Sequence, residues 1–161
     1  MRYKYVPNTK EDLLSVVWDR ISYEGNGVDL NDIDVSGIKD LSHLFYEFKE
    51  FNGDISRWDV SNAEVMDGMF FCSHFNGDLS KWNVSNVKSM FNMFSHSNFN
   101  GDISMWDVSN VEDMGDMFCK NLVFDQDLSG WDTRSCYTHD NMFDGSPMQK
   151  QKRRQPKFKK R

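Results

Sequence analysis

No stretch of 18 apolar residues occurs anywhere in this sequence, and its first residues, MRYKYVPNTKEDLL, contain no apolar run of signal-peptide length. A membrane-spanning helix is therefore excluded, and export by the general secretory route is not expected. Only three cysteines are present, Cys72, Cys119 and Cys136, with no C-x-x-C pair. An odd count without tight spacing argues against a disulfide framework, and a reducing compartment is the expected setting. Cytoplasmic or virion-associated location is expected before secretion, and nuclear location if the host is eukaryotic. Also missing are G-x-S-x-G, a Walker A pattern and H-E-x-x-H, so neither a nucleophile elbow, a phosphate loop nor a helical zinc site is encoded. His43, His74, His96 and His139 stand beside no recognisable nucleophile, and no enzyme activity and no cofactor are expected.

Acidic residues are absent from 150–161, where Lys150, Lys152, Arg153, Arg154, Lys157, Lys159, Lys160 and Arg161 make eight cations in twelve residues. The remainder, 1–149, carries 25 Asp and Glu against 11 Lys and Arg, a net of −14. The tail lacks apolar periodicity and contains Pro147 and Pro156, so 147–161 reads as disordered when free. Its charge density makes those eight residues candidates for binding polyanions, nucleic acid among them, through counterion release.

What the chain has in abundance is repetition. FNGDISRWDVSN at 51–62 returns as FNGDLSKWNVSN at 75–86 and FNGDISMWDVSN at 99–110, with a weaker copy, FDQDLSGWDTRS, from Phe124. The Trp residues at 58, 82, 106 and 131 set a period of 24, 24 and 25 residues, which signals a repeat architecture. Shifting 30–45 by 25 places Ile33 on Trp58, Leu41 on Met66 and Phe45 on Phe70, so 29–50 is a diverged first repeat, followed by 51–74, 75–98, 99–123 and 124–146. Each W-D-V-S stretch alternates apolar and polar residues and reads as a short strand. Each following N-V-x-x-M-x-x-M-F has apolar spacing of three and four and reads as a short helix, N-capped by Ser61/Asn62, Ser85/Asn86 or Ser109/Asn110. Asn-Gly marks a turn in the first three copies. Residues 1–28 hold an amphipathic helix over 7–24, with Thr9 and Asp12 near its start and Leu13, Leu14, Val17, Trp18 and Ile21 on one stripe, as an end-cap requires.

The pattern F-N-x-D-[IL]-S-x-W-[DN]-V-S-N-V-x-x-M-x-x-M-F over 29–146 resembles the BspA-like leucine-rich repeat family. That resemblance implies an α/β leucine-rich-repeat-like solenoid of about five coils. It also implies relatives among bacterial surface and adhesion proteins, in phages and in large viruses.

The recurrent Asp-x-Ser pairs at 54/56, 78/80, 102/104 and 127/129 have the chemistry for a row of calcium ligands, but one carboxylate per repeat falls short of six to eight oxygens. Local turns are the expected role. Cys72, His74, His96 and Cys119 lack the paired spacing of a zinc site, so no metal is expected. Met66, Met90 and Met114, and Met69, Met93, Met117 and Met142, recur at core spacing. The residue before each Trp does vary: Arg57, Lys81, Met105 and Gly130 form the candidate contact strip for a protein partner. The expected function is a non-enzymatic interaction or structural module; nucleic-acid association through the tail is the alternative.

Overall fold

A computed structural model describes residues 3–159. The one α-helix among them, α1 (Lys10–Glu24), begins three residues later than the pattern suggests. Thr9 Oγ1 accepts from the Asp12 N–H at 3.1 Å, and the Asp12 carboxylate accepts from the Thr9 N–H at 3.2 Å. This reciprocal pair satisfies two orphan donors and fixes the start. Gly25, at φ 93°, ends it. Leu13, Val17 and Ile21 are buried against the first repeat, but Trp18 is 56% exposed and meets Phe48 edge-on at 5.1 Å. Arg20, also buried, ties α1 to that repeat through Asp32 (2.6 Å) and the Asp29 carbonyl (3.0 Å).

Beyond α1 the expected solenoid of short parallel strands and short helices does not form. Among the described residues there is no sheet and no repeat helix, only a 3-10 turn at Pro147–Lys150 and isolated parallel bridges. Four of those bridges, Asp40 to Val65, Val65 to Ser89, Ser89 to Asp113 and Asp113 to Thr138, join successive repeats at one equivalent position; Asp29 to Asp54 adds a second between the first two, and Tyr5 to Ile33 ties the N-terminus on. The repeats therefore lie in register, as their sequence period requires, but each is built from turns.

Residues 66–73 show why. A helix needs each N–H to reach the carbonyl four residues back. Here the N–H groups of Met66, Gly68, Phe70 and Cys72 donate instead to Ser89, Phe91, Met93 and Ser95 of the next repeat, at 2.8–3.0 Å. Only the intervening Met69, Phe71 and Ser73 bond backwards, three residues to Met66, Gly68 and Phe70. Gly68 (φ 56°) and Cys72 (φ 52°) lie in the left-handed region, and so do His43, Glu47, Asn92, His96, Asp116, Lys120, Asn141 and Gly145. Two such residues per repeat break helix and strand alike. Apolar spacing of three and four survives because consecutive four-residue turns also bring Met66, Met69, Phe70 and Ser73 inward.

The core is a set of columns. Phe45, Phe70, Phe94, Phe118 and Phe143 stack with ring centroids 5.4–5.7 Å apart. A second column, Phe51, Phe75, Phe99 and Phe124, runs beside it at 6.0–6.5 Å. Each Trp is buried and donates its Nε1–H to a carbonyl of the preceding repeat: Trp58 to Leu30, Trp82 to Ile55, Trp106 to Leu79, Trp131 to Ile103, at 2.9–3.1 Å. The glycine of each Asn-Gly is not a turn residue: a Cβ at Gly77 would lie 2.6 Å from the ring of Phe75, which folds back over it.

The tail corrects a further expectation. Residues 147–159 are laid against the last repeat, with Met148 fully buried and Phe158 partly so. Leu128 N–H donates to the Arg154 carbonyl at 2.8 Å, and Arg154 pairs with Asp125 at 2.7 Å.

Trp82→Ala should lower stability by about 3–5 kcal/mol, the range for emptying a buried aromatic site. Urea denaturation followed by circular dichroism measures this, and a parent-like midpoint would contradict the column. Glu47→Gly should raise stability by about 1 kcal/mol, because it removes a Cβ from a left-handed residue. Glu50→Gly, one turn away, is the control that should not.

Candidate interaction surfaces

The recurring polar side chains face the chain itself. Asp54, Asp78, Asp102 and Asp127 each accept from the Ser N–H two residues on, at 2.9 Å, so the Asp-x-Ser rows are turn locks. Asn62, Asn86 and Asn110 cap no helix: each side-chain amide donates to a carbonyl of the preceding repeat, Ser36, Ser61 and Ser85, at 2.7–2.9 Å. Asn52 and Asn76 accept from the backbone N–H of Asn76 and Asn100 in the same way. These side chains are the polar counterpart of the phenylalanine columns.

Among the described residues no group of three or more His, Cys, Asp or Glu is placed to hold a metal ion. Cys72 and Cys119 are half-buried free thiols, and burial pushes both up from the ordinary thiol range, which disfavours the reactive thiolate. No helix among the described residues is long and apolar enough to cross a membrane.

The strip before each Trp is on the surface. Arg57, Lys81, Met105 and Gly130 are all exposed, Met105 by 86%. Arg57 also reaches Asp29 of the preceding repeat at 3.3 Å. The tail cations are placed at the far end of the stack. Lys150, Lys152, Arg153, Lys157 and Lys159 are exposed, while Arg154 is half-buried on Asp125; Lys160 and Arg161 lie outside the described residues.

A different surface escaped the sequence pattern. Tyr46, 40% exposed, stacks on Phe71 at 4.9 Å and leans on His43 at 5.5 Å; Phe71 meets His96 at 5.7 Å; Phe91 is 38% exposed nearby in the same segment of its repeat. The ring contacts of His43, Tyr46, Phe71 and His96 cross three successive repeats and form an aromatic row; Phe91 lies beside Gly115 of the next repeat. The row opens at its N-terminal end into a cavity of about 420 Å³ lined by Trp18, Ile21, Tyr46, Phe48 and Phe51 together with Asn26, Glu47, Lys49 and Glu50. Tyr46 and Phe71 share a repeat position whose later copies are Ser95 and Cys119, and Phe91 sits where others have Ser42, Asp67 and Gly115. A search for identical recurrence passes over such positions.

On another face Lys39, Glu64 and Lys88 form an ion-pair ladder across three repeats, at 2.8 and 2.9 Å. Hydrogen bonds from Lys39 and Lys88, and their charge, hold the Glu64 carboxyl at about 2 against an ordinary 4.5.

Two stretches, 14–98 and 95–159, match the family described as "Mycoplasma protein of unknown function, DUF285". No curated protein and no solved structure matches the chain.

Acid should weaken the fold in a defined window. Glu64 is lowered by its lysines, and Asp54, Asp59, Asp78, Asp102 and Asp107 are lowered by hydrogen bonds from the serine two residues on. A carboxyl lowered in the folded state contributes stability above its unfolded pKa and loses it as pH falls through the folded one. The denaturation midpoint should be flat above about pH 5 and fall between about pH 4.5 and 2, modestly because these groups are solvated. A midpoint that rises on acidification would refute this.

Proposed function

Because the chain belongs to the DUF285 family, for which no activity is known, we propose a function from its surfaces: a non-catalytic protein-interaction module that engages its partner through the aromatic row. The observation that carries this is the chain of ring contacts from exposed Tyr46 through half-buried Phe71 to exposed His96, continued at one end by Trp18 and its cavity, with Phe91 also at the surface in the same segment of its repeat. Large aromatic side chains left at the surface of a protein with well-filled aromatic columns lose apolar burial that a partner would restore. Trp and Tyr are also the residues that most often dominate binding energy when a partner covers them.

Two further features support a binding role over catalysis. The recurrent carboxylates accept from their own turns, so they are not poised as a converging acid–base pair. The motif's resemblance to BspA-like repeats, whose members include surface proteins, agrees with a role in recognition. The strip Arg57, Lys81, Met105 and Gly130 would then flank the contact and tune its charge.

Tyr46→Ser, Phe71→Ser and Phe91→Ser, made together, test this against Lys81→Ser with Met105→Ser. Affinity purification from extracts of the source organism should lose specific partners with the aromatic triple variant, while the strip variant keeps most of them. Identical recoveries from both folded variants would overturn the assignment of the aromatic row.

A further inference from the structure

The bonding rule that joins the repeats runs out at residues 139–145. Alternate N–H groups cross from each repeat to the next: Met90, Asn92, Phe94 and His96 donate to Asp113, Gly115, Met117 and Cys119, then Met114, Asp116, Phe118 and Lys120 to Thr138, Asp140, Met142 and Asp144, at 2.7–2.9 Å. The equivalent groups of the last repeat are the N–H of His139, Asn141, Phe143 and Gly145. Gly145 turns to the Gln149 side chain at 3.3 Å, and the other three find no acceptor among the described residues. Their geometry is already that of a bonded edge. Asn141 and Gly145 have φ of 55° and 70°, against 54° and 55° for Asp116 and Lys120 one repeat earlier.

The tail covers only the other half of this end. It continues the stack over Leu128, whose N–H reaches the Arg154 carbonyl, and over Thr133, whose hydroxyl donates to the Lys157 carbonyl at 3.0 Å. Phe158 then stacks on the His139 ring at 3.9 Å. Between the tail and the open donors lies a cavity of about 350 Å³ lined by His139, Asn141, Phe143, Gln149, Lys152 and Phe158 among others. Exposed Lys150, Arg153, Lys157 and Lys159 belong to the same short tail.

We propose that this edge is a docking site for an acidic polypeptide segment that takes up the same run of turns as the repeats. The segment's backbone carbonyls accept from His139, Asn141 and Phe143 N–H, and its carboxylates face Lys152 and the neighbouring tail cations. Three donors on alternate residues match the carbonyl spacing of a polypeptide, which is what occupies this position on every earlier repeat. The two segments nearest this end that do so are acidic, with Glu112, Asp113 and Asp116 in one and Asp140 and Asp144 in the next, whereas the earlier one at 89–95 has no acid, so the preference for acid here comes from the tail cations that only this edge has beside it. A nucleic acid would satisfy the cations but offers no such row of carbonyls in register with the three donors.

The probe is a fluorescent peptide of the sequence of residues 111–121 carrying Cys119→Ser, titrated into the full-length protein, with amide exchange followed by NMR. Saturable binding is expected, with exchange of the His139, Asn141 and Phe143 amides slowed about tenfold or more at saturation, as new backbone bonds require. Lys152→Glu should weaken binding about tenfold, as should a peptide with its acids changed to amides, while Tyr46→Ser should leave it unchanged, which keeps this site separate from the aromatic row. Absence of binding at about 1 mM peptide, binding that leaves those three amides unprotected, or a single-stranded oligonucleotide that protects them equally would each overturn the proposal, the last in favour of a polyanion site.

Discussion

Every second backbone N–H in residues 66–72, 90–96 and 114–120 donates sideways to the next repeat, and the rest of the structure follows from that constraint. A backbone group so used cannot also hold a helix, so the chain between crossings must turn. The turns need two left-handed residues per repeat, supplied by residues as different as Gly68, Cys72, His96 and Lys120. A backbone bonded this regularly spaces the phenylalanine rings about 5.5 Å apart, and the rings fill that spacing by stacking. Polar side chains repeat the theme: Asn62, Asn86 and Asn110, and the four Trp indoles, all reach a carbonyl of the preceding repeat.

Such a stack has two ends that cannot be alike. At the N-terminal end α1 supplies Leu13, Val17 and Ile21 to cover the first ring column, and Arg20 and Lys10 bind carboxylates of the first repeat. At the C-terminal end the described residues form no α-helix, only the 3-10 turn Pro147–Lys150. A cationic tail lies over part of the last repeat, anchored by Arg154 on Asp125 and by buried Met148. The acid of the body and the base of the tail thus meet within one molecule, although most of the tail's charge still faces solvent.

Binding surfaces arise where the repeat is broken. Positions that recur identically, such as the Asp of Asp-x-Ser or the Trp, are consumed in holding neighbours together. Tyr46, Phe71, Phe91 and His96 sit at positions free to vary, and there the chain displays aromatic groups that its own core does not cover. Recurrence in this molecule marks structure, and departure from recurrence marks the exposed chemistry.

The period of 24 and 25 residues, the inward rows of Phe, Trp and Met, the correspondence of Phe45 with Phe70 and the capping box at Thr9 were all legible in the sequence, because each depends on spacing that one chain displays locally. What the spacing meant was not. Residues at i, i+3, i+4 and i+7 turn inward in a helix and equally in a run of four-residue turns. The two differ only in where the N–H of Met66 or Phe70 finds its acceptor, a carbonyl 23 residues further along the chain. The same holds for the tail: by composition 147–159 has too few apolar residues to order itself, and only the unfinished edge of the last repeat, with Asp125, Leu128 and Thr133 awaiting partners, decides that it is held. Local spacing determined which residues face inward; the long-range hydrogen-bond acceptor, which exists only once the repeats have stacked, decided what backbone carries them.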